Sequence, residues 1–280
     1  MIQSKMEKNF FMLIEKNDKK RKEITLDAPW IPSFVIYFKS FFLSLIKIYL
    51  YILFVFFPFG YAVTFVVSGS MTPTCQTNEI VLSSQLCFGL KLSKLFGSDP
   101  NIPGILDKIL WKYEEPKVGD IVSFQVPSID EESIFTKRIV ATDGDIVQFK
   151  QGILFINKKS VKLEFKEKYT FVEDNKYYSG DIYIETLPNG IKHEVLYLYQ
   201  LGSGNGDNTQ EYIVPKGHVF CVGNNRHNSD DSRMLFAFVE KRHILGKVVM
   251  VLFSNGNLTS LNISKLIEGM RWDRCLKWMV

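Results

Sequence analysis

The sequence predicts a mainly β protein that is held at a membrane by one helix. Short runs of β-branched and aromatic residues recur after Val67, and each is bounded by Gly, Asn, Asp or Pro. No strongly periodic helical segment alternates with these runs, so an antiparallel arrangement is expected rather than parallel βαβ units. The apolar segment ahead of them is long enough for one membrane-spanning helix and a following strand.

The first element is the membrane anchor. The apolar segment extends from Ser33 to Val67, and we place the transmembrane helix at residues 41–60. Basic residues gather between Lys16 and Lys22, so the positive-inside rule puts residues 1–40 in the cytoplasm and the rest outside. The segment is too long, and begins too late, for a cleaved signal peptide. The expected location is the inner (plasma) membrane, crossed once, with the β part on the outer, periplasmic face.

The strands follow in order. The segment YAVTFVV after Pro58 is the first. The later runs are GDIVSF (119–124), GDIVQF (144–149), GILFIN (152–157), VLYLY (195–199), HVFCVG (218–223) and KVVMVLF (247–253). FGSDPNIPG around Pro100 and LGSGNGDN (201–208) are expected to be loops. The second is glycine-rich, but no lysine closes it and no helix follows, so it is not a phosphate-binding loop.

Charge and cysteine content exclude some functions. The formal net charge of the 280 residues is only +4, with both signs spread along the chain, so no nucleic-acid partner is expected. The four cysteines show no C-x-x-C spacing and no clustering with histidine, and we interpret them as small buried apolar residues, with a disulfide as the alternative.

The candidate chemistry begins at VSGSMTPT (67–74), where a serine stands directly after the apolar segment. A serine hydroxyl needs a base to become a nucleophile. The usual base is histidine, but the four histidines, at positions 193, 218, 227 and 243, are each expected to be surface or loop residues. The other solution is a lysine that burial keeps neutral. Lys137 has apolar neighbours, Ile134, Phe135 and Ile139, although an ordinary strand-surface charge is the alternative interpretation.

A third segment, GNNRHNSDDSR (223–233), is either a solvated loop or a support for the lysine amine. Taken in order, SGSMTPT, GDIVSF, TKRIVATDGD and GNNRHNSDDSR resemble the sequence boxes of bacterial type I signal peptidases, the membrane-bound leader peptidases. The resemblance covers about Ser68 to Ser254 and is weakest between residues 165 and 210.

This resemblance implies a serine endopeptidase that removes N-terminal signal peptides from exported preproteins by a Ser-Lys mechanism, without metal or cofactor. Ser70 would be the nucleophile and Lys137 the general base. The backbone N–H of Ser70 and the hydroxyl of Ser68 would form the oxyanion hole. Ser229 would hydrogen-bond the lysine amine. The remaining supporting residues would be Asp231 and Arg233, as a pair, and Arg138.

The resemblance also implies the partners: exported preproteins with small residues at positions −1 and −3, and the lipid bilayer. The peptide would bind as an added strand. Plausible walls of its pockets, by analogy, are Met71, Val81, Val122 and Phe135.

The implied fold is the signal-peptidase type, an antiparallel β catalytic core with an inserted smaller β domain. The core would comprise residues 61–156 and 216–258, and the inserted domain residues 157–215. Residues 259–280 form an amphipathic tail, which either lies in the membrane interface or packs on the core as a helix.

The sequence departs from the family pattern at several positions. Asn224 stands where an aspartate is usual, and Thr136 replaces an aliphatic residue. Asp143 replaces a proline, and Glu79 follows Asn78 where Gly-Asp is common. None of these positions is a proposed nucleophile, base or oxyanion donor. Two alternatives stay open: a specialised Ser-Lys processing protease of a pilus or conjugation system, and an inactive membrane-tethered homologue.

Overall fold

A computed structural model of the chain describes residues 30–51, 60–88, 90–91, 109–111, 114–173, 176–256 and 263–279. These residues fall into two units that divide at Phe56 and Phe57, and each is described by itself. The predicted loop around Pro100 lies outside the described residues.

The first unit contains helix α1, Trp30–Tyr51. It begins well before the predicted span at 41–60, and residues 52–59 of that span lie outside the described residues. Within the part of the chain that the structure describes, no helix is both long enough and apolar enough to cross a membrane. The transmembrane helix at residues 41–60 stays a prediction. The aromatic and aliphatic side chains of α1 from Tyr37 to Tyr51 are nevertheless exposed.

The second unit is mainly β, as predicted, and all of its strand pairs are antiparallel. The strands of its main sheet are β1 (Tyr61–Val66), β2 (Glu79–Ser84), β5 (Ile121–Val126), β6 (Asp130–Thr142), β14 (His218–Val222), β15 (Val239–Glu240), β16 (Ile244–Ser254) and β17 (Lys277–Trp278). They lie in the order β1-β2-β16-β5-β6-β14-β15, and β17 also pairs with β16.

Three smaller sheets complete the β structure. One joins β3 (Leu90–Lys91) to β4 (Ile109–Trp111). The second has the order β13-β7-β8-β9, formed by Tyr212–Ile213, Ile146–Lys150, Ile153–Ile156 and Lys159–Ser160. The third has the order β10-β11-β12, formed by Lys162–Glu173, Lys176–Thr186 and Lys192–Tyr197. The four-stranded sheet begins with β7 at Ile146, ahead of the predicted insertion boundary at 157, and that boundary stays a prediction.

The main sheet buries apolar side chains on both faces. On β5, Ile121 and Ser123 face one side, while Val122 and Phe124 face the other, since side chains alternate along a strand. The first side, called here the inner face, carries an apolar cluster of Val66, Met71, Cys75, Val81, Ile121, Val248 and Val251. The opposite face carries Val122, Phe124, Val126, Ile139, Val219, Cys221, Val239 and Ile244. Each fully buried side chain of this size contributes about 1.5–3 kcal/mol.

The ribbon of β10 and β11 lies within the predicted inserted β domain, residues 157–215, although its individual strands were not predicted from the sequence. It is rich in charged and aromatic residues, and its far end is exposed, for example at Tyr177. Cross-strand pairs stabilise it: Phe171 lies opposite Tyr178, and their rings stack with centroids 5.2 Å apart.

The carboxy-terminal tail only partly follows its predicted helical spacing. Helix α2 covers Ile263–Glu268 and is followed by Gly269, a residue that commonly ends helices. The chain then turns, and β17 pairs Trp278 with Met250 on β16. Met279 packs against the inner cluster, whereas Trp272 and Trp278 are exposed. The tail is thus docked on the core, and contact of its exposed rings with a membrane stays a prediction.

Candidate active site

The serine of the VSGSMTPT segment lies in a short 3₁₀ turn, Gly69–Met71, directly after β1. Two backbone bonds close the turn, from the N–H of Thr72 to Gly69 and from the N–H of Cys75 to Met71, both 3.0 Å. The segment GNNRHNSDDSR (223–233) also holds this turn through Asn225. The Asn225 N–H donates to the Ser70 carbonyl at 3.0 Å, and its side-chain amide donates to the Gly69 carbonyl at 3.2 Å. The backbone that carries Ser70 is therefore fixed by residues 155 positions away in the chain, counted from Ser70 to Asn225.

Lys137 lies on β6, and its amine reaches the same serine. The Nζ–Oγ separation between Lys137 and Ser70 is 2.5 Å, and only 4% of Lys137 is exposed. Burial lowers the pKa of Lys137 from its ordinary 10.5 to about 8, against the opposing effect of the nearby Asp231 carboxylate. A buried amine with this pKa is neutral in a useful fraction of molecules near neutral pH. The strand-surface interpretation of Lys137 is excluded by its burial.

Ser68 lies at the start of the turn and is exposed. Its hydroxyl donates to the Ser70 Oγ at 3.3 Å. Both hydroxyls therefore face the same small region above the turn, and the oxyanion-hole role of Ser68 stays a prediction.

The loop of the last box is organised around a buried carboxylate. Arg233 donates to Asp231 with Nε and Nη2 at 3.0 and 2.9 Å, a two-pronged ion pair. The Gly223 N–H and the Ser229 hydroxyl also donate to Asp231, at 3.0 and 2.8 Å. The hydroxyl proton of Ser229 is thus directed to Asp231, and its lone pairs stay available to the Lys137 amine, whose bond to Ser229 stays a prediction.

At Gly223, this loop lies very close to the turn that carries Ser70. A Cβ at this position would lie 2.1 Å from the Ser229 Oγ and 2.6 Å from the Ser70 carbonyl oxygen. No side chain fits there without moving the Ser70 backbone. Sequence reasoning did not single out Gly223, because nothing local in the chain indicates the contact.

The unusual Asn224 connects two parts of the site. It accepts a bond from the Arg138 Nε at 3.3 Å and donates to the Thr74 hydroxyl at 2.5 Å. Arg138 also donates to the Gly119 carbonyl at 2.6 Å and is fully buried, and this burial lowers its pKa to about 10. The amide therefore takes over the acceptor role expected of the usual aspartate and adds a donor that a carboxylate lacks.

A second buried ion pair links the sheet of β10, β11 and β12 to the loop at residues 223–233. Arg226 donates to both carboxylate oxygens of Glu185 on β11, at 2.5 and 2.9 Å. His193 on β12 lies 3.2 Å from Glu185 and is buried, which lowers its pKa to about 4. The expectation of surface or loop histidines is wrong for His193, because the paired strands carry it inside. The ring of His227 is also buried, in its loop against Asp207 at 2.9 Å.

A third buried ion pair joins the carboxy-terminal tail to the segment that follows Ser70 in the chain. Arg274 donates to Glu79 at 2.5 Å and to the Thr74 carbonyl at 2.8 Å. Ser254 also donates to Glu79, at 2.8 Å, and Glu79 is fully buried. The departure from Gly-Asp at Glu79 therefore coincides with an arginine almost two hundred residues later, a partnership that only the fold shows.

A cavity of about 300 Å³ opens beside Ser70 and Lys137. Its walls are the segment from Thr64 to Val67, the turn that carries Ser70 together with Met71 and Cys75, and residues 133–137 of β6. Met71 and Phe135 line it, and their role as walls of substrate pockets stays a prediction. Val81 lies in the apolar cluster of the inner face.

Val122 does not line this cavity. It is fully buried on the opposite face of the sheet, and its neighbour Ser123 faces inward instead. A part for Val122 in substrate binding stays a prediction.

Of the four cysteines, all of which the structure describes, only Cys75 lines this cavity. All four cysteines are free; Cys75 and Cys221 are buried, and Cys87 and Cys275 are half-buried. In the described ranges, no group of three or more His, Cys, Asp or Glu side chains is arranged to hold a metal ion.

Comparison with known proteins agrees with this geometry. Residues 35–253 match the family described as signal peptidase, peptidase S26. A signal peptidase I of Pseudomonas fluorescens is 31% identical over 233 residues, 80% of this chain and 74% of that protein. One of Rickettsia typhi (strain ATCC VR-144 / Wilmington) is 32% identical over 192 residues, 67% and 70% of the two chains.

Among solved structures, a signal peptidase I of Enterococcus faecalis V583 is similar over 48% of this chain and 97% of that chain, with 24% identity and a TM-score of 0.27. A TM-score this low adds nothing to the assignment. The family match covers well over half of the residues, and the relatives exceed 30% identity over two thirds of the chain or more. The chain therefore belongs to the signal peptidase family, S26, of serine endopeptidases.

Proposed function

We propose that this serine endopeptidase removes signal peptides from exported proteins, with Ser70 as nucleophile and Lys137 as its base. The observation that carries the proposal is the 2.5 Å separation between the Lys137 amine and the Ser70 hydroxyl oxygen at the edge of a cavity. Nucleophile and base must lie within hydrogen-bond reach, and the base must be unprotonated at working pH. The buried amine lies within this reach, and its pKa, lowered to about 8, leaves a minor fraction of it unprotonated at neutral pH and most of it above pH 8.

In the first step, the neutral Lys137 amine takes the proton of Ser70 as the oxygen attacks the scissile carbonyl carbon. The resulting oxyanion is held by the Ser70 N–H and the Ser68 hydroxyl, whose oxygen lies 3.3 Å from the Ser70 Oγ. The Lys137 ammonium then gives its proton to the leaving amine, which departs as the new amino terminus of the mature protein. An acyl group remains on Ser70.

In the second step, the amine of Lys137 is neutral again and takes a proton from a water molecule that attacks the acyl carbon. The ammonium returns this proton to Ser70 when the acyl–oxygen bond breaks. Asp231 carries the negative charge nearest to the cycling amine, and its bonds from Arg233, Gly223 and Ser229 fix it in place. We propose that these residues position the loop and do not themselves exchange protons.

The substrate is expected to bind as an extended strand in the cavity. β1 is the edge of the main sheet, and β14 pairs with β6 only from Arg138 to Thr142. Residues 134–137 of β6 therefore have no partner on β14. A peptide between these two edges would point alternate side chains into the cavity. Its limited volume, about 300 Å³, favours small residues at positions −1 and −3.

The test is cleavage of a purified preprotein by the full-length protein and three variants. Ser70→Ala and Lys137→Ala should each abolish cleavage, since the loss of either member of a coupled pair removes the function of both. Lys137→Arg should also be inactive, because a guanidinium stays protonated. Lys117→Ala, at a lysine with 63% of its side chain exposed, is the matched control and should cleave normally. Near-normal turnover by Lys137→Ala would overturn the Ser-Lys assignment, and an inactive wild type would indicate the inactive-homologue alternative.

We propose further that the protein is anchored in the plasma membrane, with its catalytic part on the outer face. Signal peptidases are membrane-associated in general, and α1 exposes apolar residues around its whole circumference, which water does not favour. Membrane fractions of cells that produce the full chain should retain it after alkaline carbonate extraction. Complete release by carbonate would contradict an anchor.

A further inference from the structure

The inner face of the main sheet carries a row of three hydroxyls beside the cavity. Ser83 lies on β2, Ser123 on β5 and Thr136 on β6, where Ser123 and Thr136 are directly paired. The hydroxyl oxygens of Ser83 and Ser123 are 3.4 Å apart, and those of Ser123 and Thr136 are 3.3 Å apart. Ser83 and Ser123 are buried, whereas Thr136 is half-buried and lines the cavity. The row therefore ends at the cavity wall.

Such a row leaves hydrogen-bonding capacity at its open end. Each hydroxyl has one proton and two lone pairs, and the bond to Ser123 uses only one of these on Thr136. Thr136 can therefore still donate or accept toward a ligand, depending on the direction in which the row is ordered. A ligand that fills the cavity with an aliphatic group would exclude water from this hydroxyl without replacing its bond, which is unfavourable.

The other end of the cavity is different in chemistry. Met71 and Cys75, beside Ser70, are buried members of the apolar cluster. In an extended peptide, side chains two residues apart face the same way and lie about 7 Å from each other. If the −1 side chain rests over Met71 and Cys75, the −3 side chain points along the inner face toward Thr136. Thr64, on the opposite wall, adds a further hydroxyl-bearing residue to that part of the cavity.

We propose that this protein prefers a Ser or Thr residue at position −3 of its substrates, which Thr136 recognises by a hydrogen bond supported by Ser123 and Ser83. Thr136 is then a specificity-determining residue. The inference rests on the proposed function, because it assumes that the −1 and −3 side chains enter this cavity. A neutral hydroxyl is the favoured partner, since it can donate or accept to match either order of the row.

The experiment compares kcat/KM for one preprotein with Ala at −1 and either Thr or Val at −3, a nearly isosteric pair. Wild-type full-length protein should cleave the Thr substrate about 3- to 10-fold faster, the range of one net hydrogen bond. Thr136→Val should remove or reverse this preference by accelerating the Val substrate relative to the Thr substrate. Ser123→Ala should reduce the preference without abolishing it, which provides a second reading if Thr136→Val folds poorly.

Thr142→Val is the matched control, because Thr142 lies on the same strand but does not line the cavity. It should leave the preference unchanged. Equal cleavage of the Thr and Val substrates by wild type would overturn the proposal. So would a Thr136→Val variant that slows both substrates equally, since that is the signature of a structural role. Failure of the proposed function would look different, with no substrate of either kind cleaved in a Ser70-dependent manner.

Discussion

Replacing Lys137 by methionine, which is unbranched and shorter only by the amine itself, is expected to abolish activity and to stabilise the protein. Burial lowers the pKa of Lys137 from 10.5 in an exposed lysine to about 8. At 1.36 kcal/mol for each pH unit, this difference corresponds to about 3 kcal/mol. The native protein bears that cost at neutral pH, where it holds a charged amine in a buried site. Loss of the bond to Ser70 offsets about 1 kcal/mol, so we expect a net gain of about 2 kcal/mol at pH 7.

The gain should depend on pH with a defined sign. Between about pH 8 and 10.5, the unfolded chain binds a proton at this lysine and the folded protein does not. The wild-type free energy of unfolding therefore rises with pH across that window, while the variant lacks this contribution. Below pH 8 the advantage of Lys137→Met should be constant, and above pH 10.5 it should reverse to a deficit of about 1 kcal/mol, the contribution of the lost bond to Ser70.

The assay is denaturant unfolding of full-length wild type and Lys137→Met at pH 7, 9 and 10.5, followed by circular dichroism. Lys117→Met, at an exposed lysine, is the control and should not change the free energy of unfolding. In parallel, wild-type kcat/KM should rise about tenfold per pH unit below pH 8 and level off above it, because only the neutral amine acts as base. A variant less stable than wild type at pH 7, or an advantage independent of pH, would refute the reasoning.

Three further variants test the surroundings of the pair. Ser68→Ala should lower kcat by roughly 10²- to 10³-fold with little change in KM, as measured by steady-state cleavage, because an oxyanion donor acts on the transition state; an effect on KM alone would argue for a turn residue. Asn224→Asp should keep or modestly raise thermal stability and activity, because a carboxylate can pair with Arg138 and the Thr74 hydroxyl can turn to donate to it; a sharp loss would contradict this. Arg274→Met should reduce the free energy of unfolding by about 3–5 kcal/mol, since it leaves the buried Glu79 carboxylate unpaired; adding Glu79→Gln should recover part of the loss, and no recovery would contradict the ion-pair account.

The local strand pattern was readable without the fold. GDIVSF, GDIVQF, GILFIN and HVFCVG all correspond to strands in the structure, because alternating or continuous apolar residues between turn formers satisfy a sheet wherever it pairs. The individual strands of the β10–β11 ribbon escaped prediction, since their residues bury little and depend on cross-strand ring contacts such as Phe171 with Tyr178. The tail escaped for the converse reason. Its helical spacing extends to Trp278, but pairing with β16 replaces helix beyond Glu268.

Within the site, the sequence determined the identity of the reacting groups. A serine in a Ser-Gly-Ser turn and a lysine among apolar neighbours are local features, and their order with the other boxes indicated the family before any coordinates. Every feature that needs two distant segments of the chain to meet depended instead on the fold. One such feature is the 2.5 Å contact of Lys137 with Ser70. Others are the buried ion pairs Glu79–Arg274 and Glu185–Arg226, and the fact that Ser123, not Val122, faces inward. The physical reason is that burial lowers the pKa of an amine and fixes an ion pair only after the fold has brought its surroundings together, whereas backbone preference and apolar alternation are already set by neighbouring residues.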